Sequence, residues 1–190
     1  MPQPADEELL RRIRSRDRAA FGLLLDRHLA GVQAYAFRMT DNRADAEDIA
    51  QETFLRVWDR ARTFQEGRVR VSTWLYRIAH NLCVDAFRRR REVVEDGLET
   101  LADERYSGLP GSIAEERRAA VRAAVAELPE RQRAALVLCQ LQGWSNRDAA
   151  VVLEVSVDAL ESLVARARRT LKGRLREFRE DAGQAWGRAT

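Results

Sequence analysis

The sequence predicts an all-α protein: two small helical domains joined by a flexible acidic linker, with a helix-turn-helix in the second domain. Three observations support this fold class. Apolar residues recur at helical spacing along most of the chain. There is no alternating run of β-branched residues and no Asn-Gly or Asp-Gly hairpin turn. The net charge of +3 divides into +5 over residues 1–91, −7 over residues 92–116 and +5 over residues 117–190, which indicates two basic modules separated by an acidic segment.

Composition and motifs exclude several classes of protein. The 190 residues allow one ordinary domain or two small ones. No apolar run approaches the roughly 18 residues that cross a bilayer, and the acidic start MPQPADEELL lacks the apolar segment of a secretion signal. We therefore expect no direct membrane insertion. Cys83 and Cys139 lie too far apart for a disulfide framework or a zinc site, which favours a reducing, cytoplasmic location.

No motif for catalysis is present. The chain lacks an HExxH pair, a GxSxG elbow, a P-loop and a GxGxxG turn. His28 and His80 have no neighbours at metal-ligand spacing, and His28 falls on an apolar stripe, where a hydrogen-bonded core histidine is the better interpretation. We therefore expect no enzyme activity, no bound metal, no cofactor and no small-molecule substrate.

Helix signals follow one another through the first domain. A helix around Leu9 is followed by a second with Asp17 as its N-cap. A third opens near Asp45, where acidic residues complement the helix dipole. The segment from Thr63 to Val71 predicts a loop, and Ser72 is the predicted N-cap of a fourth helix, which ends in the four arginines 88–91.

The second domain is predicted to contain four helices. Pro129 and Ser145 mark the starts of the second and third helices, and Gly143 marks the end of the second. The four helices are expected over residues 113–127, 129–141, 145–153 and 157–178. The predicted organisation is a first domain, a linker, a second domain and a tail, over residues 1–91, 92–115, 116–178 and 179–190.

The fourth helix has two distinct faces. Its core face comprises Leu75, Ile78, Ala79, Leu82 and Ala86. A second stripe combines an aromatic ring, an amide and guanidinium groups, in Trp74, Arg77, Asn81, Asp85 and Arg88. Such groups stack on unpaired bases, read base edges and hold phosphates, although a solvated face would show the same periodicity. The arginine run favours an anionic ligand, because like charges at one helix end repel unless an anion compensates them.

The last two predicted helices have the proportions of a helix-turn-helix. The second of them has a core face of Val157, Leu160, Leu163, Val164, Ala167 and Leu171. Its opposite face is polar and largely cationic, as expected if its N-terminal half meets base edges in a major groove. An αα-hairpin with a basic solvated surface is the alternative.

Three ordered segments resemble the extracytoplasmic-function (ECF) sigma factors, two-domain members of the sigma-70 superfamily. They are DAEDIAQETFLRVW (45–58), STWLYRIAHNLCVDAFRRRR (72–91) and LPERQRAALVLCQLQGWSNRDAAVVLEVSVDALESLVARARRTL (128–171). The resemblance implies partners: core RNA polymerase through its largest-subunit clamp helices and flap, promoter DNA, and an anti-sigma factor.

The resemblance also implies three sets of contact residues. The polymerase set is Asp48, Gln51, Glu52, Leu55 and Trp58. The minus-ten set, for single-stranded DNA, is Phe64, Arg68, Arg70, Trp74, Arg77, Asn81, Asp85 and Arg88. The minus-thirty-five set, for duplex DNA, is Arg147, Glu161, Ser162, Ala165, Arg166, Arg168 and Arg169. Many family members have a basic residue where this chain has Glu161, and an acid there accepts from cytosine N4 but repels phosphate.

Two other classes of function compete with this interpretation. A conventional duplex-binding regulator explains the helix-turn-helix but not the segments 45–58 and 72–91 together. A helical adaptor that binds only protein leaves the arginine run and the basic recognition face unexplained. The sequence therefore favours a sigma factor that binds core polymerase, directs promoter-specific initiation and opens the promoter by capturing unpaired minus-ten bases.

Overall fold

The computed structural model describes residues 4–95 and 113–187. Over these residues the chain folds into eight α-helices and no strand, which confirms the predicted all-α class. The predicted linker residues 96–112 lie outside the described part of the chain. The helices are α1 (Asp6–Arg14), α2 (Arg18–Thr40), α3 (Arg43–Arg60), α4 (Val71–Glu95), α5 (Ile113–Ala126), α6 (Glu130–Leu136), α7 (Asn146–Leu153) and α8 (Val157–Gly187).

Side-chain caps fix the starts of α2 and α3 in the first module. The Asp17 carboxylate accepts hydrogen bonds from the backbone N–H groups of Ala19 and Ala20, at 2.9 and 3.0 Å, as predicted. The Asn42 side chain caps α3 by accepting from the N–H of Asp45 at 3.0 Å. The four helices bury a common core whose largest fully enclosed side chains include Leu9, Leu10, Ile13, Leu24, Val32, Tyr35, Met39, Val57 and Leu75.

The predicted cap at Ser72 was wrong. Helix α4 begins one residue earlier, at Val71, and the N–H of Trp74 already bonds the carbonyl of Arg70 at 3.1 Å. Val71 is buried, so burial of its side chain draws the first turn of α4 back by one residue. Helix α4 also continues beyond the arginine run to Glu95.

The second module contains the predicted helix-turn-helix. Helix α6 follows Pro129 and continues as a π-helical turn from Val137 to Leu141. Gly143 lies in the left-handed region with φ +70°, which glycine adopts without strain. The Ser145 hydroxyl caps α7 by accepting from the N–H of Asp148 at 3.1 Å. Glu154, at φ 55°, ends α7 and turns the chain towards α8.

The two modules pack directly against each other. Helix α7 lies against α4, and α2 contacts α5 and α6. The Tyr76 and Trp144 rings meet with centroids 4.7 Å apart, and the Gln142 amide donates to the carbonyl of Gly31 at 3.0 Å. The Arg133 guanidinium donates to the carbonyl of Met39. The interface is therefore held by an aromatic contact together with directional hydrogen bonds.

Two glycines of α2 should respond in opposite directions to an added methyl group. A Cβ on Gly31 would lie 2.6 Å from the Tyr76 hydroxyl oxygen, whereas a Cβ on Gly22 meets nothing within 4 Å. We expect Gly31→Ala to lower the free energy of unfolding by about 1–3 kcal/mol, because Tyr76 must shift. Gly22→Ala should raise it by about 0.5–1 kcal/mol through helix propensity. Urea unfolding of both variants measures the difference, and stabilisation by both would contradict the tight approach at Gly31.

Candidate polymerase and nucleic-acid interfaces

The polymerase set on α3 is mostly open to solvent. Asp48 and Gln51 are exposed, and Leu55 is 50% exposed. The Glu52 carboxylate accepts from Nε of Arg56 at 2.7 Å, so its charge is partly compensated. The exposed leucine and the acidic and amide side chains around it match the apolar centre and polar rim of a protein-binding surface.

Trp58 is more enclosed than the other members of this set. Its ring meets Phe21 edge-on with centroids 5.1 Å apart, and the Arg16 guanidinium lies 5.3 Å from its centroid. The tryptophan packs against the core of its own module, and part of its surface stays exposed. Trp58 therefore supports the α3 surface from the side.

Arg14 shapes the loop before α4. Its guanidinium donates to the carbonyls of Ala61 and Phe64, at 3.1 and 2.6 Å. Phe64 is only 4% exposed and packs on the Trp74 ring with centroids 5.3 Å apart. A buried ring offers no face to a base, so we leave Phe64 out of the proposed DNA contacts. Arg14 lies 50 residues before Phe64, and no local pattern of the sequence indicates its role.

The exposed arginines of the loop and of α4 have different environments. Arg68 is exposed and has no partner among the described residues. Arg70 pairs with Asp148 of α7 at 2.5 Å, and Arg77 pairs with Glu154 at the other end of α7. The second module therefore covers part of the predicted minus-ten stripe.

Asn81 lies at a cavity between the two modules. The cavity has a volume of about 370 Å³, and its wall includes His80, Leu153 and Glu154. The Asn81 side chain is exposed. At the next turn, Asp85 accepts from Arg88 at 3.3 Å. The polar stripe of α4 is therefore continuous from Arg77 to Arg88, and α7 contacts it at Arg77.

Three of the four arginines of the run have acidic partners within the protein, contrary to the expectation from the sequence. Arg88 pairs with Asp85 and lies 3.9 Å from Glu92. Arg90 reaches Asp45 at 2.5 Å, and Arg91 reaches Glu130 at 3.6 Å. Asp45 and Glu130 lie on α3 and α6, so their proximity depends on the tertiary fold. The run alone therefore does not require an external anion.

His80 and Tyr35 form a buried hydrogen-bonded pair beside this stripe. The Tyr35 hydroxyl lies 2.9 Å from Nδ1 of His80. Burial, reinforced by the charge of Arg131, lowers the pKa of His80 to about 4. Burial raises the pKa of Tyr35 well above its usual value. The histidine is therefore neutral at pH 7, and its tautomer decides which of the Tyr35 hydroxyl and Nδ1 donates.

The recognition helix α8 presents the predicted duplex-reading face. Ser162, Ala165, Arg166 and Arg169 are exposed, as are Arg147 on α7 and Glu161. Arg168 is turned towards the π-helical turn after α6, where it donates to Gln140 at 2.6 Å. Val157, predicted for the core face, is 39% exposed, because it is the first residue of α8 and precedes the packed turns.

Glu161 has a partner that the sequence analysis missed. The Asn146 side-chain amide donates from Nδ2 to Oε1 of Glu161 at 3.1 Å. The two residues belong to different helices of the motif and are 15 positions apart. Only the crossing of α7 and α8 brings them together.

Within the described ranges, no group of histidine, cysteine or acidic side chains is arranged to hold a metal ion. Over the same residues, none of the helices combines the length and apolar character needed to cross a membrane. His28 bonds Asp6 through Nε2 at 2.7 Å, in keeping with a hydrogen-bonded structural histidine.

Comparison with known families matches both modules. The Sigma-70 region 2 model matches residues 24–93, and the Sigma-70 region 4 model matches residues 118–171. Both modules are thus sigma-70 regions. The chain is 36% identical over 148 residues to the ECF RNA polymerase sigma factor EcfG of Rhodopseudomonas palustris, covering 76% of this chain and 78% of that protein. This chain therefore belongs to the ECF RNA polymerase sigma factors of the sigma-70 family.

Other relatives agree in sequence and in fold. The chain is 32% identical over 170 residues to SigE of Mycolicibacterium smegmatis, covering 85% of this chain and 64% of SigE. CnrH, solved with the cytosolic domain of CnrY, superposes with a TM-score of 0.70 at 28% identity, covering 92% of this chain and 99% of CnrH. RpoE of Bartonella quintana, solved with the anti-sigma factor NepR, gives a TM-score of 0.68 at 24% identity, covering 82% and 96% of the two chains.

Proposed function

We propose that this chain is a promoter-specificity subunit that binds core RNA polymerase, recognises a promoter and opens it. The observation that supports this most directly is the pairing of a region 2 match with a region 4 match in one chain. A conventional helix-turn-helix regulator, the alternative, needs only the second module. It gives no role to the exposed acidic and apolar face of α3.

The first module, residues 1–91, is the proposed site of polymerase and minus-ten binding. The centre of the polymerase surface is Leu55, with Asp48, Gln51 and Glu52 as its polar surroundings and Trp58 beside them. The clamp helices of the largest subunit are the proposed partner. Burial of Leu55 would provide the apolar contact, and the carboxylates would set the orientation of the complex through charge complementarity.

The minus-ten surface extends from the loop before α4 along the polar stripe of that helix. Arg68, Arg70 and Arg77 are proposed phosphate contacts, and Asn81 is a proposed base-edge contact. Trp74 supports the surface through its contact with Phe64, and Asp85 and Arg88 extend it by one turn. An unpaired base can be captured here, because stacking and edge contacts compensate the cost of unstacking the duplex.

The second module, residues 116–178, is proposed to read the minus-thirty-five duplex through α8. Ser162, Ala165 and Arg166 face the groove, and Arg147 and Arg169 hold phosphates on either side. Arg168 bonds Gln140 and is the least direct contact of this set. We propose residues 92–115 as the linker and residues 179–190 as a tail outside the DNA-reading surface. Helix α8 continues to Gly187, beyond the end predicted at residue 178, and α4 and α5 extend into the two ends of the proposed linker.

The proposed role involves no chemistry by this chain. Sigma factors are a non-catalytic class, and promoter opening would draw on binding free energy from polymerase and DNA. Because sigma factors act on cytoplasmic RNA polymerase, the cytoplasm is the proposed location. A regulatory protein partner, an anti-sigma factor, is also proposed, in line with CnrH having been solved bound to CnrY.

Reconstitution with core bacterial RNA polymerase tests the proposal. The purified chain should co-migrate with core polymerase on a sizing column and should direct initiation from a subset of genomic fragments. Core polymerase alone is the control. A folded chain that neither binds core polymerase nor directs initiation would contradict the proposal, and tight duplex binding without polymerase would favour the regulator.

A further inference from the structure

The recognition helix presents a carboxylate one turn before its arginines. Glu161 lies in the second turn of α8, is exposed, and adjoins Ser162 on the outward face. A carboxylate repels DNA phosphates, so its favourable contacts are amino groups on base edges. In the major groove, cytosine offers N4–H₂. Adenine presents its amino group beside the N7 acceptor, which repels a carboxylate. Cytosine is therefore the base that fits Glu161 best.

Asn146 restricts the position of this carboxylate. The Asn146 amide donates to Oε1 of Glu161 at 3.1 Å, and the Ser145 cap fixes the turn from which Asn146 projects. Among the described residues, Oε2 of Glu161 has no partner. One oxygen is thus held by the protein, and the other is open to an external donor. Ordering a flexible side chain before binding lowers the entropy cost of the contact.

We propose that Asn146 is a positioning residue that holds Glu161 to select a cytosine at one position of the minus-thirty-five duplex. The inference rests on the proposed function of α8 as the duplex reader. Asn146 need not touch DNA. Its amide fixes which oxygen of Glu161 faces the groove and at what height along the helix.

Promoter selection by the reconstituted holoenzyme tests this assignment. A library randomised across the minus-thirty-five element is transcribed, and the productive templates are sequenced. The wild-type chain should enrich a cytosine about tenfold or more at one position. Glu161→Gln should lose that enrichment there, Asn146→Ala should weaken it, and other positions should keep their preferences. Asp26→Asn, which removes one negative charge at an exposed position of α2 away from the recognition helix, is the matched control.

The outcomes separate this inference from the proposed function. If Glu161→Gln and the wild-type chain select the same bases at every position, cytosine selection by Glu161 is wrong although initiation persists. If Asn146→Ala leaves the enrichment at its full value, the positioning role is wrong. Failure of the wild-type chain to initiate at all would instead contradict the proposed function.

A separate set of contacts concerns the two ends of α7. Asp148, near the start of the helix, pairs with Arg70 at 2.5 Å, and Glu154, just past its end, pairs with Arg77. Both arginines belong to the proposed minus-ten surface. A carboxylate and a phosphate use the same guanidinium donors, so α7 and a DNA strand cannot both occupy these two side chains.

The surrounding contacts suggest a reversible interface. Arg70 and Arg77 are well exposed, and exposed ion pairs are individually weak. The Tyr76–Trp144 contact and the bond from Gln142 to the Gly31 carbonyl add to them. Displacement of α7 by a promoter strand would exchange the two ion pairs for guanidinium–phosphate bonds, and it would also break the Tyr76–Trp144 contact and the Gln142–Gly31 hydrogen bond.

We infer that α7 is an intramolecular competitor of the promoter single strand, which binds only when the second module leaves α4. This inference also rests on the proposed minus-ten role of α4. The test compares the full chain with Asp148→Asn/Glu154→Gln, using a fluorescent single-stranded oligonucleotide and small-angle scattering. Glu8→Gln/Asp26→Asn removes the same number of charges at exposed positions outside the interface and is the control.

The double variant at the ends of α7 should bind the oligonucleotide about tenfold more tightly than the wild-type chain and should have a larger radius of gyration. The control should change neither quantity to that extent. An affinity gain no greater than that of the control, or an unchanged radius of gyration, would overturn the competition. Initiation with core polymerase tests the proposed function independently of either result.

Discussion

Leu55→Glu should reduce binding to core RNA polymerase by roughly a hundredfold or more while leaving the fold intact. Leu55 is 50% exposed on α3, so a glutamate there costs little in the free protein. At a protein interface, the same change replaces an apolar contact with a buried, unpaired charge. Losses of about 3 kcal/mol or more occur at hot-spot residues of an interface, and they correspond to this change in affinity. A binding titration with labelled core polymerase measures it.

Leu23 provides the matched control for this prediction. It is 46% exposed on α2 and lies outside the polymerase set. Leu23→Glu should leave both polymerase binding and the free energy of unfolding close to the wild-type values. Equal losses in the two variants would show that added charge, rather than the α3 surface, weakens binding. Unchanged binding by Leu55→Glu would remove α3 from the proposed interface.

The sequence predicts local features of this fold well because those features depend on neighbouring residues. The Asp17 cap, the Ser145 cap and the left-handed Gly143 each follow from a few adjacent positions. Ser72 is not the cap of α4, because burial of Val71 outweighed the preference of a hydroxyl residue for the N-cap position. The N-cap preference of a residue decides where a helix begins only where side-chain burial does not favour another start.

Contacts between distant segments of the chain explain the features of the structure that the sequence did not predict. The repulsion expected in the arginine run is reduced because Asp45 and Glu130 lie beside Arg90 and Arg91 in the fold. The arrangement of α7 against α4 similarly pairs Arg77 with Glu154. Helical periodicity identifies the polar face of each helix. It does not show which of these faces meet each other.

The free energy of unfolding should fall on mild acidification because of His80. Burial, with a smaller effect from the charge of Arg131, lowers the pKa of His80 to about 4, below its ordinary value of 6.5. The unfolded chain takes up a proton below pH 6.5, whereas the folded chain resists it until about pH 4. The stabilisation is therefore fully present above pH 6.5 and is lost as the pH falls from 6.5 to 4. Between pH 7 and pH 5 the loss should be about 2 kcal/mol.

Urea unfolding at the two pH values measures this loss, with His80→Gln as the control. Glutamine can accept the hydrogen bond of the Tyr35 hydroxyl but does not titrate, so the variant should lack most of the pH dependence. The same dependence in both proteins would contradict the prediction.

His80 also lines the cavity between the modules, beside Glu130 and Glu154. Separation of the modules would hydrate the imidazole, so its pKa should rise towards 6.5 in the Asp148→Asn/Glu154→Gln variant. The titration of His80 by NMR would then report directly on the contact between α7 and α4.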